Sequence, residues 1–187
     1  MKIMVPYYSQ YLDVADELWQ PRACGVACLK MLLEAKGEHA PTLDEMIAQG
    51  CAIGAHGEYG WKHDGLIALA RQYGAKLSRN EWRKSESKSL EELNEEGVNF
   101  LISELRSGRP VIVSAVKNFE EDDKFHMIIL TGLEEKDLPA PDTARQADGT
   151  VVGFYYHDSD TTKRGDGKNL FIHIDIFRAK WRKMAIF

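Results

Sequence analysis

The sequence predicts an α+β fold in which a helical N-terminal half packs against a mostly antiparallel β-sheet. Helical patterns occupy the first half of the chain, and short runs of β-branched and apolar residues follow in the second half. Alternating β-α-β patterns, which would indicate a parallel sheet, are absent. The 187 residues, 44% of them hydrophobic, have the length of one compact unit, so we expect residues 1–187 to form a single domain.

The first helix is predicted from Cys24 to about Glu34. Small and apolar residues recur there at helical spacing and leave little polar surface. Gly37 occupies the position that commonly follows a helix end, and Pro21 lies just before the start. We therefore expect a central, buried helix with Cys24 at its N-terminus.

Two short helices are predicted next along the chain. A capping-box pattern of Thr and Glu opens a helix over residues 42–49. Residues 50–60 contain four glycines, which is typical of a loop. Asp64 is then expected to cap a helix that runs through Tyr73 and stops at Gly74.

The second half of the chain supplies the sheet. A Ser–Glu capping box opens a helical stretch over 89–107, with a break expected near Gly97. Short apolar runs predict the strands: 111–116, 126–133, 151–157 and a terminal strand over 183–187. Asp175 is expected to cap a last helical turn, and the connection over 134–149 is expected at the surface.

Composition excludes several classes of partner. The formal net charge is −5, so no overall positive field would attract nucleic acid or an anionic membrane surface. No apolar run approaches the ~20 residues of a transmembrane helix, and the N-terminus lacks a signal-peptide pattern. Three cysteines form an odd, sparse set that indicates free thiols in a reducing compartment. We expect a cytoplasmic protein without membrane insertion.

Cys24 is the candidate nucleophile. A thiol at a helix N-terminus lies near unpaired backbone amides and the positive end of the helix dipole, which stabilise the thiolate. Cys28 and Cys51 are expected only to fill space. His126 begins a strongly apolar strand and is the candidate base. If the next strand pairs antiparallel with it, Asp158 at that strand's end comes within reach of His126 and can orient its ring.

Other arrangements of these residue types remain open. Cys51, His56 and His63 could build a zinc site, but no Cys-x-x-Cys or His-x-x-x-His pair anchors one, so we expect neither a metal nor a cofactor. His157 is adjacent to Asp158, and alternation along a strand turns the two side chains to opposite faces. His157 is therefore expected to be a neighbour of the base.

Two charged runs are expected to be solvated surface. The acidic run over 120–123 precedes His126 and could alternatively select a basic substrate. The basic residues near the C-terminus are Arg178, Lys180, Arg182 and Lys183.

Several motifs together resemble a known family. They are Val-Pro-Tyr-Tyr-Ser-Gln at 5–10, Arg-Ala-Cys-Gly-Val-Ala-Cys-Leu-Lys-Met-Leu-Leu at 22–33, Gly-Trp at 60–61, Gly-Arg-Pro-Val-Ile-Val at 108–113 and Phe-His-Met-Ile-Ile-Leu-Thr-Gly at 125–132. These runs, spread over most of the chain, resemble the papain-like cysteine peptidases that include the bacteriocin-processing, double-glycine leader peptidase domains. The resemblance implies a papain-like fold with nucleophile Cys24, base His126, orienting acid Asp158 and an oxyanion-hole amide from Gln10.

Two of these positions have a competitor. Gln10 precedes Cys24 by a longer interval than in the transporter-attached leader peptidases, so Gln20 competes for the oxyanion hole. Gln10 is preferred because it ends a run that resembles the free-standing branch of the family. Asp158 lacks the proline that often follows the aspartate in relatives, so Asp160 competes for the orienting role.

The expected function is therefore that of a cysteine peptidase or amide hydrolase. It would form an acyl-enzyme on Cys24 from a peptide or amide substrate, including leader-type peptides. The alternatives are a peptide-binding module of the same fold without catalysis, and an acyltransferase or transamidase that uses the same triad. No exporter segment follows in this sequence, so the partner that would present a substrate is unidentified.

Overall fold

The computed structural model describes residues 1–136 and 150–187. The helices in these ranges are α1 (Cys24–Ala35), α2 (Leu43–Ala52), α3 (His63–Gln72), α4 (Leu90–Arg106) and α5 (Ile174–Lys180). The strands are β1 (His56–Gly57), β2 (Gly60–Trp61), β3 (Arg79–Glu81), β4 (Val111–Lys117), β5 (Glu121–Lys136), β6 (Thr150–His157), β7 (Leu170–His173) and β8 (Trp181–Ile186). A short 3-10 turn, Gln20–Arg22, leads into α1.

Six strands form one antiparallel sheet in the order β3-β8-β4-β5-β6-β7. The remaining two, β1 and β2, pair with each other as a small hairpin. The predicted antiparallel sheet is therefore confirmed. The C-terminal strand β8 lies inside the sheet, between β3 and β4, and not at its edge.

Helices cover both faces of the sheet. Successive side chains of a strand point to opposite faces, and β4 and β5 accordingly contribute to two hydrophobic cores. Ile112 and Ile129 pack with side chains of α1, α2 and α3, whereas Val113 and Ile128 pack with side chains of α4 and α5. The expected helical half is therefore α1 to α3, with α1 buried over residues 25–33 as predicted.

Local capping signals were accurate at two helix starts. The Thr42–Glu45 pair forms a complete capping box at α2, and the Ser89–Glu92 pair does the same at α4. The helix α2 continues to Ala52, beyond the predicted end, because the backbone stays helical through Gly50.

The expected break near Gly97 is wrong, since α4 is one continuous helix. The glycine is required by packing. A Cβ at this position would lie 2.6 Å from the indole of Trp181 and 2.9 Å from that of Trp82, so only glycine lets both rings rest against the helix.

Two predicted caps are also wrong. Lys62 is the N-cap of α3 and His173 that of α5, which places Asp64 and Asp175 in the first turns. Asp64 instead pairs with Arg79, at 2.7 Å from its Nε. The loop expected over 50–60 contains the end of α2 and the β1–β2 hairpin.

Strand β5 is longer than predicted and begins within the acidic run. The rest of the connection expected at the surface, residues 137–149, lies outside the described residues. None of the helices in the two described ranges is long and apolar enough to cross a membrane.

Candidate active site

Cys24 is the first residue of α1. Its predecessor Ala23 makes no side-chain capping bond, and the first turn of the helix carries no acidic residue. The first-turn amides and the positive end of the helix dipole are therefore available to stabilise a negative charge on the Cys24 sulfur. A thiol in this place is favoured as its thiolate form.

The start of α1 is fixed by Trp61. A Cβ at Gly25 would lie only 3.1 Å from the Trp61 side chain, so the indole rests directly against the helix at this glycine. The indole Nε1–H also donates a 2.8 Å hydrogen bond to the Arg22 carbonyl. The Cys-Gly pair of the sequence therefore provides a thiol at the helix start and the space for the indole ring that packs there.

His126, on β5, contacts both Cys24 and Asp158. Its Nε2 lies 2.6 Å from Asp158 Oδ1, and its ring hydrogen-bonds the Cys24 side chain. Only 6% of His126 and 8% of Asp158 is exposed to solvent. The register of β5 and β6, which sets Ile129 opposite His157, brings the residue after β6 beside the histidine.

The charges of this group favour a thiolate–imidazolium pair. Burial would raise the pKa of Cys24, but the charge and hydrogen bond of His126 and the backbone N–H of Met127 outweigh it and lower that pKa. Burial would also lower the pKa of His126, yet the net effect of Cys24 and Asp158 is to raise it. Burial opposes the Asp158 carboxylate too, but the hydrogen bond and charge of His126 lower its pKa. These shifts all favour the charged forms of the three groups.

The Met127 peptide group links α1 to β5. Its N–H hydrogen-bonds the Cys24 sulfur, and its carbonyl accepts from the Cys28 thiol at 3.3 Å. Burial, with the charges of Cys24 and Asp158, raises the pKa of Cys28 well above that of an ordinary thiol. Cys28 therefore stays protonated, and it is a hydrogen-bond donor as well as the space-filling residue that was expected.

The N-terminal segment holds the loop that carries Asp158. The Tyr7 hydroxyl donates to the Asp158 carbonyl at 3.0 Å, and the Gln10 backbone N–H donates to the Ser159 carbonyl at 2.9 Å. The Asp158 N–H donates to the Gly167 carbonyl at 2.8 Å. The Val-Pro-Tyr-Tyr-Ser-Gln run thus fixes the backbone that follows the Asp158 Cα, and the Gly167 carbonyl fixes the peptide N–H that precedes it.

The two competing aspartates have different partners. Asp158 contacts His126, whereas the Asp160 carboxylate pairs with Lys117 Nζ at 2.5 Å. The Asp160 backbone N–H also donates to Asp158 Oδ1 at 2.8 Å, which stabilises the negative charge next to the histidine.

The two glutamines that compete for the oxyanion hole also have different partners. Gln10 is 2% exposed, and its Oε1 accepts a 3.0 Å hydrogen bond from the Ser159 hydroxyl. Ser159 therefore binds the carbonyl oxygen of the Gln10 side chain and not its NH₂ group. Gln20 lies in the 3-10 turn before Cys24, where its Nε2–H donates to the Val14 carbonyl at 3.0 Å.

His157 is bound on both ring nitrogens by the backbone. Its Nε2 lies 3.2 Å from the Val5 carbonyl, and its Nδ1 accepts from the Asn169 N–H at 3.1 Å. These partners require the neutral Nε2–H tautomer, in keeping with a pKa lowered by burial.

The three residues of the alternative zinc site are not grouped. Cys51 is exposed. His56 packs edge-on between Trp19 and Trp61, with ring centroids 4.9 Å and 5.1 Å away, while His63 Nδ1 lies 3.8 Å from Glu81. Among the residues that the structure describes, no three His, Cys, Asp or Glu side chains are placed to hold a metal ion.

Cys24 and His126 open onto a cleft of about 540 Å³. One wall is formed by the β1–β2 hairpin, including Trp61, and the opposite wall by the sheet, including Ser114, Phe125 and Arg182. Arg182 was expected to be surface charge, but it is partly buried in this wall. Its position follows from the insertion of β8 beside β4, which no local sequence signal reveals.

Solved structures share this fold. A double glycine motif protease from an AMS/PCAT transporter, solved with its leader peptide, superposes with a TM-score of 0.56 at 16% identity, covering 100% of this chain and 91% of that chain. The peptidase domain of Streptococcus ComA gives 0.51 at 15% identity, with coverage of 89% and 90%. A protein described as a C39-like peptidase from Bacillus anthracis gives 0.60 at 17% identity, with coverage of 100% and 96%.

These likenesses confirm the predicted papain-like fold with its Cys-bearing helix on an antiparallel sheet. No curated protein sequence matches the chain. The family model described as "Peptidase_C39 like family" matches residues 2–185, nearly the whole sequence. The resemblance to double-glycine peptidase domains noted from the motifs is confirmed as well, and the chain belongs to the Peptidase_C39-like family.

Proposed function

We propose that this protein is a cysteine peptidase that hydrolyses a peptide bond through an acyl-enzyme on Cys24. The observation that carries the proposal is the contact of one buried imidazole, His126, with both the Cys24 thiol and the Asp158 carboxylate beside an open cleft. A nucleophile, its base and an orienting acid in this relation are the general requirement for nucleophilic acyl transfer.

The reaction begins with attack of the Cys24 thiolate on the carbonyl carbon of the substrate. The backbone N–H of Cys24 and the Gln10 amide stabilise the negative charge that develops on the carbonyl oxygen. The His126 imidazolium gives its proton to the nitrogen of the leaving amine as the C–N bond breaks, and a thioester remains. His126 then takes a proton from water, whose oxygen attacks the thioester and releases the acid and free Cys24.

Asp158 acts in this scheme by holding His126. Its 2.6 Å contact with Nε2 directs the other ring nitrogen toward Cys24 and stabilises the charged ring. The N-terminal segment contributes indirectly, because its bonds from Tyr7 and Gln10 fix the loop of Asp158.

A leader-type peptide is the proposed substrate. Family membership supports this class, as does the fold shared with a double glycine motif protease that was solved with its leader peptide. The cleft beside Cys24 is large enough for an extended segment of a few residues.

Cys24→Ala tests the proposal in a peptide-library digestion read by mass spectrometry. The wild type should cleave a subset of peptides, and the variant should cleave none while keeping the same circular dichroism and melting temperature. Cys51→Ala, which removes an exposed thiol, is the matched control and should leave cleavage unchanged. Cleavage by Cys24→Ala would refute the mechanism.

Alkylation of the cysteines separates the alternatives. Cys24 should react fastest at pH 6–7, below the usual thiol pKa of ~8.5, and His126→Ala should abolish this advantage. Slow labelling of Cys24, with no cleavage, would indicate a binding module. Products that incorporate an added amine in place of water would indicate acyl transfer.

A further inference from the structure

Arg182 lies in the wall of the catalytic cleft. Its guanidinium stacks over the ring of Phe125, with Cζ 3.4 Å from the ring centroid, and Phe125 immediately precedes His126. Both side chains line the cleft that Cys24 and His126 share. The planar stacking holds a flexible side chain in one orientation next to the reacting groups.

The backbone of β8 is shaped to place this side chain. Between Val113 and Ala115, strand β4 has the single residue Ser114. Opposite it, strand β8 has three residues, Arg182 to Met184. Within this bulge Lys183 has a φ of +56°, in the left-handed region that a lysine rarely adopts. Such strain is costly and is concentrated at functional sites. Arg182 lies in this bulge, and it lines the cleft together with Ser114.

The charge of Arg182 has no carboxylate partner among the residues that the structure describes. Glu81 acts on it electrostatically but is itself paired with Arg79, at 2.6 Å. Burial lowers the pKa of Arg182 and the nearby positive charge of Arg83 lowers it further, against the effect of Glu81. A partly buried guanidinium close to a like charge is an unfavourable arrangement that an anionic ligand would relieve.

The net charge of the cleft is positive, which suits an anionic ligand. The opposite charges of Cys24 and His126 cancel, and the other charged side chains that line the cleft, apart from His56 and His63, are Arg22, Arg182 and Glu58. They leave one net positive charge in a chain of net charge −5. Strand β8 and the Asp158 loop after β6 lie on opposite sides of β5 in the sheet. Arg182 and Asp158 therefore lie on opposite sides of His126 in the sheet.

We propose that Arg182, oriented by Phe125, is a specificity-determining residue that binds a carboxylate of the substrate. Because Arg182 and Cys24 line the same cleft of about 540 Å³, the carboxylate belongs to a residue close to the scissile bond in the peptide. The carboxylate comes from an Asp or Glu side chain or from the C-terminus of the peptide. A guanidinium fork matches either one through two parallel N–H to oxygen bonds. The inference rests on the proposed peptidase function and adds the substrate class.

Electrophilic peptides that label Cys24 provide the test. One series carries a C-terminal chloromethyl ketone, so that its residues lie on the acyl side of the reacting carbon. The second carries an N-terminal chloroacetyl group, so that its residues lie on the other side, and is made both as free acids and as C-terminal amides. Each series contains matched Glu and Gln peptides at each of three positions. The second-order rate constant for Cys24 is read by mass spectrometry.

The wild type should react roughly tenfold or more faster with a Glu peptide than with its Gln partner at one position, as expected for a charge-assisted hydrogen bond. Faster labelling by free acids than by amides, without a Glu preference, would instead identify the terminal carboxylate. Arg182→Gln should remove the preference, and Arg182→Lys should keep part of it because an ammonium cannot bind in the bidentate mode. Phe125→Leu should reduce it by releasing the guanidinium.

Arg71→Gln is the matched control. It removes the same charge from an exposed position on α3, outside the cleft, and should keep the preference. Rapid labelling of Cys24 with equal rates for all matched pairs would overturn the carboxylate site and leave the peptidase function intact. A preference that survives in folded Arg182→Gln would also overturn it. Failure of Cys24 to react selectively with any probe would overturn the proposed function and this inference with it.

Discussion

Replacing Asp158 by Asn tests the electrostatic part of the site. The substitution keeps the shape of the side chain and an Oδ1 that can accept from His126 Nε2 and from the Asp160 N–H, at 2.6 Å and 2.8 Å in the native protein. It removes the negative charge. Because that charge raises the pKa of His126, the pKa must fall in the variant, and the thiolate–imidazolium pair must be lost at a lower pH.

The size of this fall can be bounded. Two unit charges 4 Å apart attract by about 4 kcal/mol at an effective dielectric constant near 20, which corresponds to about three pH units. Changing a charged hydrogen bond to a neutral one costs only about 1–1.5 kcal/mol, or about one pH unit. We therefore expect the pKa of His126 to fall by about one to three pH units in Asp158→Asn.

The assay is an NMR titration of ¹³C-labelled histidine, with the His126 signal assigned through His126→Ala. Asp160→Asn is the control, because it removes the same charge from a carboxylate paired with Lys117 and should change the His126 pKa much less. Equal effects of the two substitutions, or no effect of Asp158→Asn in a folded protein, would refute the assignment of Asp158 as the partner.

Three further outcomes follow from packing and hydrogen bonding. Gly97→Ala should lower the free energy of unfolding by about 1–3 kcal/mol in urea titrations, since the new methyl group meets Trp181, and a gain in stability would contradict that contact. Tyr7→Phe should cost about 1 kcal/mol by the same measurement, and should lower kcat more than it raises KM because the bond it removes supports the Asp158 loop and not the substrate. The stability difference between wild type and Asp158→Asn should vanish in acid. Because the pKa of Asp158 is lowered in the folded protein, its carboxylate stabilises the fold above the unfolded pKa of ~3.9. This contribution is lost as the pH falls through the pKa of the folded protein.

Short-range signals explain which parts of the fold the sequence reveals. The capping box of Thr42 and Glu45 acts within one helical turn, so its outcome does not depend on the rest of the chain. The proximity of Asp158 and His126 needs only the pairing of two strands that are neighbours in sequence, and the structure has that pairing. The catalytic role of these residues remains a proposal.

Long-range packing explains what the sequence does not reveal. Gly97 breaks no helix because indoles from distant positions, among them Trp181, occupy the space that its missing Cβ leaves. Arg182 enters the cleft because β8 inserts next to β4 and bulges there. Neither effect leaves a recognisable pattern among residues that are close in sequence. Both depend on which strands become neighbours in the sheet.

The shared peptide group of Met127 has a practical consequence for preparing the protein. This group hydrogen-bonds the Cys24 sulfur on one side and the Cys28 thiol on the other, and the ring of the preceding residue, His126, hydrogen-bonds the Cys24 side chain. A slip of β5 by one residue would turn alternate side chains to the other face and break all of these contacts at once. Misfolded molecules would therefore carry an ordinary thiol at Cys24. Active-site titration with a limiting electrophile would then count the correctly paired fraction of a refolded sample.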